Sequence, residues 1–395
     1  MKTFDALGRR VVLGRLTRLT HGRLSVEEAW GGRREFGSGD APRATITVRD
    51  PRFYRALVLG GHLGAVEAYL DGWWDTDDLT TLVQLMVRNH DVLDSLESGW
   101  ARLAQPVRRA WHGWRRNTRR GSRRNIAAHY DLGNEFFAQF LDDTLTYSCG
   151  IFEEADSTLR DASIAKYERI CRKLEVTPGD HVVEIGTGWG GFALHAAGRY
   201  GCRVTTTTIS RAQHALATER IAAAGLSDRV TILERDYRDL TGTFDKLVSI
   251  EMIEAVGHRF YGAFFRKCAE LLRPGGRMAL QAITIDPRFY DRARREVDFI
   301  KRYIFPGANI PSLPVLRQAA EVRARLSLLH LEDITPHYAE TLKRWRQNFM
   351  ARWDRLRALG FSEEFRRLWQ FYFCYCEGGF RERFLGDVQM VFARD

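Results

Sequence analysis

The stretch His181–Tyr200, HVVEIGTGWGGFALHAAGRY, decides the fold. It begins as a short β-rich apolar run, the pattern of a buried strand, and ends in the helical run FALHAAGRY. Between the two lie Gly186, Gly188, Gly190 and Gly191. Glycines allow a tight turn and close backbone approach of a ligand, and the N-terminus of the following helix favours negative charge. A strand, a glycine loop and a helix in this order point to a ligand site at the edge of a parallel sheet.

The same alternation continues on both sides of this unit. β-rich runs at 181–188, 202–210, 229–236, 244–251, 277–285, 326–334 and 387–395 are separated by helical stretches, the last strand arriving after helices at 338–358 and 361–384. This predicts a doubly wound α/β domain with a seven-stranded, mostly parallel sheet, over 125–395. Residues 1–105 read as a small α+β accessory domain. RLSVEEAW (23–30) and RATITV (43–48) are its strands, around the glycine-rich turn GGRREFGSG. Helices follow, from DPRFYRALVLGG with Asp50 as cap, through AVEAYLDGWWD, to DDLTTLVQLMVRNHDVL capped by Asp77 or Asp78. Residues 106–124 are a basic linker.

The loop satisfies G-x-G-x-x-G, so a dinucleotide must be weighed. A nicotinamide site also wants an acid about 20 residues on, at the end of the second strand. That strand ends in Thr205–Ser210 with no carboxylate, while Glu184 stands just before the first glycine. E-x-G-x-G here, with LLRPGG (271–276) before a fifth strand, resembles the class I, Rossmann-like, S-adenosylmethionine-dependent methyltransferases. Glu184, Gly186, Gly188, Trp189 and Gly190 are then cofactor-binding candidates, and Asp236, ending the third strand, is a partner for the adenine amino group.

Composition narrows the partners. The 395 residues carry a net charge of +10, which favours a polyanionic partner or surface. No run approaches the ~18 apolar residues of a membrane-spanning helix. The arginine-broken N-terminus, MKTFDALGRRVVLGRL, is not a signal peptide. Six scattered cysteines without CxxC spacing argue against a zinc site or a disulfide framework and fit a reducing cytoplasm. The segment 107–124, VRRAWHGWRRNTRRGSRR, holds eight arginines and no acid. Nucleic acid, an anionic membrane or plain solvation would each suit it.

Seven further segments carry a more specific resemblance: AHYDLGNEFFAQFLDDTLTYSCGIF (128–152), VVEIGTGWGGFALHAA (182–197), TISRAQ (208–213), RDYRDL (235–240), SIEMIEAVGH (249–258), KRYIFPGANIPS (301–312) and CYCEGGFRER (374–383). Together they resemble the cyclopropane-fatty-acyl-phospholipid synthases, and YLDGWWDTDDLT (69–80) resembles that family's accessory domain. The resemblance implies methyl transfer from S-adenosylmethionine to a cis double bond of a membrane phospholipid's acyl chain. It also implies a cytoplasmic protein, peripheral at the inner membrane face. The arginine segment then reads as a contact with anionic headgroups, at up to about 1 kcal/mol per arginine. Nucleic acid is not expected as a partner; the family often dimerises, so a homodimer is an expectation.

Methylating an alkene leaves a carbocation, which water would trap. The pocket must therefore be dry and aromatic. Phe136, Phe137, Phe140, Tyr147, Phe152, Phe264, Phe265 and Tyr303 are candidates for it. A base must next take a proton from the added methyl; in the family this is a bound bicarbonate. The resemblance carries its pocket onto Cys149, Glu254, Ile283 through its backbone N–H, and Tyr338, with Gln281 where many members have histidine. It gives Tyr147, Ser148, Thr208, Gln213, Tyr237 and Arg238, beside the glycine loop, to the cofactor. Cys149 reads as a small pocket thiol, since no motif places a histidine to activate it. Glu251 reads as structural or as part of the cofactor rim. Gln281 keeps a methyl- or methylene-branched product in play beside the cyclopropane. A non-catalytic membrane- or nucleic-acid-binding protein on the same scaffold is the reading from another class.

Overall fold

A computed structural model describes residues 3–96 and 132–395. The arginine segment 107–124 and the linker 106–124 lie outside the described residues. The chain divides into two compact units.

One unit holds residues 3–96, 295–304 and 350–384. Its sheet has the order β2-β1-β3-β4, from β1 (Arg23–Glu28), β2 (Arg33–Phe36), β3 (Arg43–Val48) and β4 (Trp74–Thr76). β1 and β3 run parallel, each burying alternate residues, as their period-2 pattern predicts. Two local expectations are corrected. The glycine-rich turn contains a strand, β2, whose Phe36 is buried. The helix over 52–70 stops at Leu70, and WWD turns through Gly72 into β4, which buries Trp74 against Phe53 and Tyr69. Asp50 accepts the Arg52 N–H (2.8 Å), and Asp78 caps the helix Leu79–Arg88 through the Thr81 N–H (3.1 Å).

This unit also takes the helix Glu363–Arg381, which the sequence reading placed in the 125–395 domain. The helix packs Gly378 against Val83, and its buried Glu377 accepts the Thr80 hydroxyl (3.2 Å).

The other unit holds residues 132–294, 305–349 and 385–395. It is built on a seven-stranded sheet of β5 (His181–Ile185), β6 (Arg203–Thr208), β7 (Val230–Glu234), β8 (Phe244–Ile250), β9 (Leu272–Ile285), β10 (Leu326–Asp333) and β11 (Leu385–Arg394). The order is β10-β11-β9-β8-β5-β6-β7. The sheet is parallel from β7 to β9, and β11 is antiparallel to both neighbours. This is the class I methyltransferase arrangement expected from the sequence. Both faces of the central strands are covered, and β5, β8, β9 and β11 are buried along much of their length. Val183, Ile185, Leu247, Met278 and Leu280 pack against the helix Tyr261–Leu271. Val182, Val204, Val248 and Ala279 pack with residues of the helices Leu159–Leu174 and Gly191–Tyr200. Among the described residues, no helix is long and apolar enough to cross a membrane.

Candidate active site

β5, β6 and β8 run parallel, so their carboxyl ends deliver three loops to one edge of the sheet. After β5, the Gly186 and Thr187 N–H groups both donate to Thr207 O (3.1 Å each), which ties the glycine loop to the end of β6. Gly188 has φ +52, and a Cβ built there meets nothing within 4 Å. A Cβ on Gly191 would lie 2.5 Å from Tyr167 Oη, so that glycine lets the helix Gly191–Tyr200 pack tightly. Glu184 is buried beneath the loop. Burial pushes its carboxyl up to about 8, and its Oε2 has no hydrogen-bond partner. Thr208 Oγ1 accepts the Ser210 N–H (3.1 Å) and donates to Gln213 Oε1 (3.0 Å). Asp236 accepts from the Arg238 backbone N–H, Nε and Nη2 (3.0, 2.8 and 2.6 Å). Both of its oxygens are therefore engaged by Arg238, a demand on Asp236 that its assignment to an adenine amino group did not foresee. Tyr237 packs edge-on against Phe264.

Below this edge lies a carboxylate cage. Glu251, directly after β8, accepts three donors. The Cys149 N–H and the Gln281 side-chain amide reach its Oε1 (2.8 Å each), and the Tyr338 hydroxyl reaches its Oε2 (2.6 Å). Glu254 accepts the Ile283 N–H on Oε1 (2.6 Å) and leaves Oε2 buried without a partner. Burial, together with the charge of Glu251, pushes Glu254 up to about 8. Asp387, fully buried, is held well above the usual carboxylate range by the same two causes. The Cys149 thiol is likewise pushed up by burial and by Asp387 and Glu251; it donates to Gly150 O (3.2 Å) and is no nucleophile. One cation compensates: Lys166, fully buried, donates to Ser148 Oγ (2.5 Å) and feels Glu251. Burial lowers its pKa, and Glu251 opposes that shift.

An aromatic wall joins the two regions. Trp189 of the glycine loop meets Phe137 at 5.1 Å between ring centroids, and Phe137 meets Tyr147 at 5.3 Å. Tyr147 meets Trp345 at 5.2 Å, and Trp345 meets Tyr338 at 6.2 Å. Tyr338 ends on Glu251. Phe136 and Phe140 belong to this cluster. Phe152 lies against His337 and under Arg344. Phe264 and Phe265 are in the core beside Phe392, and Tyr303, in the other unit, donates to Glu67 (2.9 Å).

The structure thus gathers Cys149, Gln281, Ile283 and Tyr338 around two glutamates, the expected Glu254 and Glu251. It gives Glu251 a central place that the sequence reading did not. Asp387, Gln389 and Lys166 were missed as well. Their signals were present: an acid and an amide two apart in the apolar run GDVQMVF, and a lysine on the buried face of ASIAKYERI.

Comparison with known proteins fits this site. The family model described as mycolic acid cyclopropane synthetase matches residues 117–390. The chain belongs to this family. Its members among the relatives include the tuberculostearic acid methyltransferase UfaA1 of Mycobacterium tuberculosis (strain ATCC 25618 / H37Rv), 37% identical over 97% of this chain and 91% of that protein. The cyclopropane-fatty-acyl-phospholipid synthase of Escherichia coli (strain K12) is 35% identical over 90% of this chain and 89% of its own length. The crystal structure of mycolic acid cyclopropane synthase CmaA1 complexed with SAH and CTAB superposes with a TM-score of 0.65 at 32% identity, covering 69% of this chain and 98% of that one. Mycolic acid cyclopropane synthetase family membership makes the chain an S-adenosylmethionine-dependent fatty acyl methyltransferase.

The two groups implied by the family fare differently here. The open space at the Gly188 Cβ position, the partnerless Glu184 Oε2 and the polar pair Thr208–Gln213 fit S-adenosylmethionine. The cage does not fit bicarbonate. The donors of Cys149, Gln281 and Tyr338 already converge on the Glu251 carboxylate, and the Ile283 N–H on Glu254. A further anion would add negative charge beside Glu251 and the buried carboxyls of Glu254 and Asp387.

Proposed function

We propose that the protein methylates the cis double bond of an unsaturated phospholipid acyl chain and closes a cyclopropane ring. The observation that carries this reading is the aromatic wall running from Trp189 in the glycine loop to Tyr338 at the carboxylate cage. Bound at the loop, S-adenosylmethionine supplies an electrophilic sulfonium methyl that needs no metal. Glu184, Gly186, Gly188, Gly190, Thr208 and Gln213 would hold it, with Tyr147 and Ser148 beside them. Phe137, Phe140, Tyr147 and Trp345 exclude water and offer ring faces to a cationic acyl chain. The cage stands where a proton has to leave.

Ring closure is the most economical outcome. Once the methyl is attached, removing one of its protons lets that C–H electron pair form the third ring bond. A branched product needs an extra event. A hydride shift before proton loss gives a methylene branch; proton loss from the chain gives a methyl branch. The similarity to a tuberculostearic acid methyltransferase favours this second reading.

The test is incubation with trideuteromethyl S-adenosylmethionine and vesicles of a cis-monounsaturated phospholipid, followed by mass spectrometry and proton NMR of the fatty esters. A cyclopropane keeps two deuteriums and shows upfield ring protons. A methylene branch also keeps two deuteriums but lacks ring protons, and a methyl branch keeps three. No labelled lipid would overturn the reading. The segment 107–124 provides the anionic membrane contact; neutralising Arg115, Arg116, Arg119 and Arg120 should weaken binding to anionic vesicles and leave cofactor affinity unchanged.

A further inference from the structure

The family resemblance assigns a set of donors to a bound bicarbonate. In this chain those donors hold a side chain. The Cys149 N–H, the Gln281 amide and the Tyr338 hydroxyl all bind Glu251, so three donors converge on one carboxylate. The charge of Glu251 is in turn one reason that Glu254 and Asp387 hold their protons.

The backbone points the same way. Glu251 has φ +48, a left-handed conformation that side chains other than glycine rarely adopt. Strain of this kind persists where the surroundings over-determine it, and it clusters at functional sites. Here it turns the carboxylate back under the end of β8, to the foot of the aromatic wall at Tyr338.

We infer that Glu251 is the resident base of this enzyme and stands in for bicarbonate. The inference rests on the alkene-methylation reading above. In the proposed step the C–S bond breaks toward sulfur while the alkene π pair forms the new C–C bond, leaving a cation on the neighbouring carbon. A Glu251 oxygen takes one proton from the added methyl. The freed C–H pair closes the ring, and Glu251 ends neutral. Its proton then returns to solvent, so the reaction releases one proton per turnover. Tyr338, Gln281 and the Cys149 N–H hold the carboxylate in place, and Lys166 balances its charge.

The test compares wild type, Glu251→Gln and Glu251→Gly, with and without bicarbonate, in argon-purged buffer. Glycine relieves the positive φ, so Glu251→Gly is expected to fold. Wild-type turnover should not change when bicarbonate is removed. Both variants should fall by at least ~10²-fold. Added bicarbonate should restore Glu251→Gly by roughly tenfold or more, because the vacated cage can then take the anion. A merely structural glutamate would show no such rescue. Binding of carbon-13 bicarbonate, followed by NMR, gives a second readout: Glu251→Gly should bind it and wild type should not. Wild type that loses its turnover without bicarbonate, or that binds bicarbonate as well as Glu251→Gly, would overturn the inference. If wild type binds S-adenosylmethionine yet modifies no unsaturated phospholipid, the reaction reading fails, and the NMR comparison still decides what occupies the cage.

Discussion

Gln389 on β11 donates its side-chain amide to Gln281 Oε1 on β9 at 3.0 Å, and this bond fixes which end of Gln281 faces the carboxylates. The direction is set from outside. Lys173 can only donate, so Gln389 must turn its carbonyl to Lys173 (2.6 Å) and its NH2 to Gln281. Gln281 then has only its own NH2 left for Glu251. The glutamine found where many relatives have histidine is thus a fixed donor that cannot titrate. Gln389→Met should free the Gln281 amide to flip and lower turnover by about tenfold, the worth of roughly one such hydrogen bond. Cofactor affinity should stay within twofold or so of wild type. Steady-state kinetics beside calorimetry of cofactor binding checks this, and unchanged turnover would mean that Gln281 needs no outside support.

Gly188→Val tests the cofactor site. In the protein alone a Cβ there meets nothing, so the cost of the substitution is the positive φ, on the order of 1 kcal/mol. The added side chain projects into the space reserved for the ligand. The variant should fold with a slightly lower Tm and show no measurable binding of S-adenosylmethionine. Retained binding would place the cofactor elsewhere.

Glu184 and Glu254, both raised from near 4.5 to about 8, give the folded state protons that the unfolded chain has already released. Their contribution to stability therefore falls as pH rises from about 4.5 to about 8 and changes little beyond. His181, His195 and His337, all lowered by burial, pull the other way below about pH 6.5. Between pH 6.5 and 8 these histidines no longer contribute; each buried glutamate removes at most about 2 kcal/mol there, and Asp387, raised in the same direction, adds to the loss. The cofactor-free protein should lose thermal stability across that window, and Glu184→Gln should flatten the loss. Parallel slopes for the two proteins in a calorimetric pH series would show that Glu184 does not carry the proton.

Most of this fold could be read locally. Strands such as β5, β8 and β11 announce themselves because both faces are covered and their sequences are largely apolar, while β6 shows itself by its run of β-branched threonines. The glycine loop announces its site because it requires backbone conformations that few residues tolerate. What escaped depends on pairings across long separations. Gln281 and Gln389 lie 108 positions apart, and the polarity of the first is decided by the second. Glu251 looked like an ordinary acid at a strand end because its three donors come from the loop at Cys149, from β9 and from the helix Thr335–Ala351. β4 was hidden in a helical pattern until Trp74 found Phe53 and Tyr69 to pack against. The place of Glu363–Arg381 likewise depends on Gly378 leaving room for Val83.

Lys166 and Glu251 form the electrostatic pivot of the cage, and a double-mutant cycle can measure their coupling. Lys166 is fully buried with a lowered pKa, and Glu251 is the largest influence that favours its charged form. Lys166→Met would leave the carboxylate without its cation in a low-dielectric site, at a cost of about 3 kcal/mol or more. Glu251→Gln would leave the ammonium equally exposed to desolvation, while relieving Asp387 and Glu254 of a neighbouring charge. If the two charges compensate each other, the double variant should be more stable than the sum of the single losses predicts, by about 1–3 kcal/mol. Denaturant unfolding of the four proteins at one pH supplies the numbers. Additivity to within ~0.5 kcal/mol would mean that Lys166 answers to Ser148 alone and that the charge of the cage is balanced elsewhere.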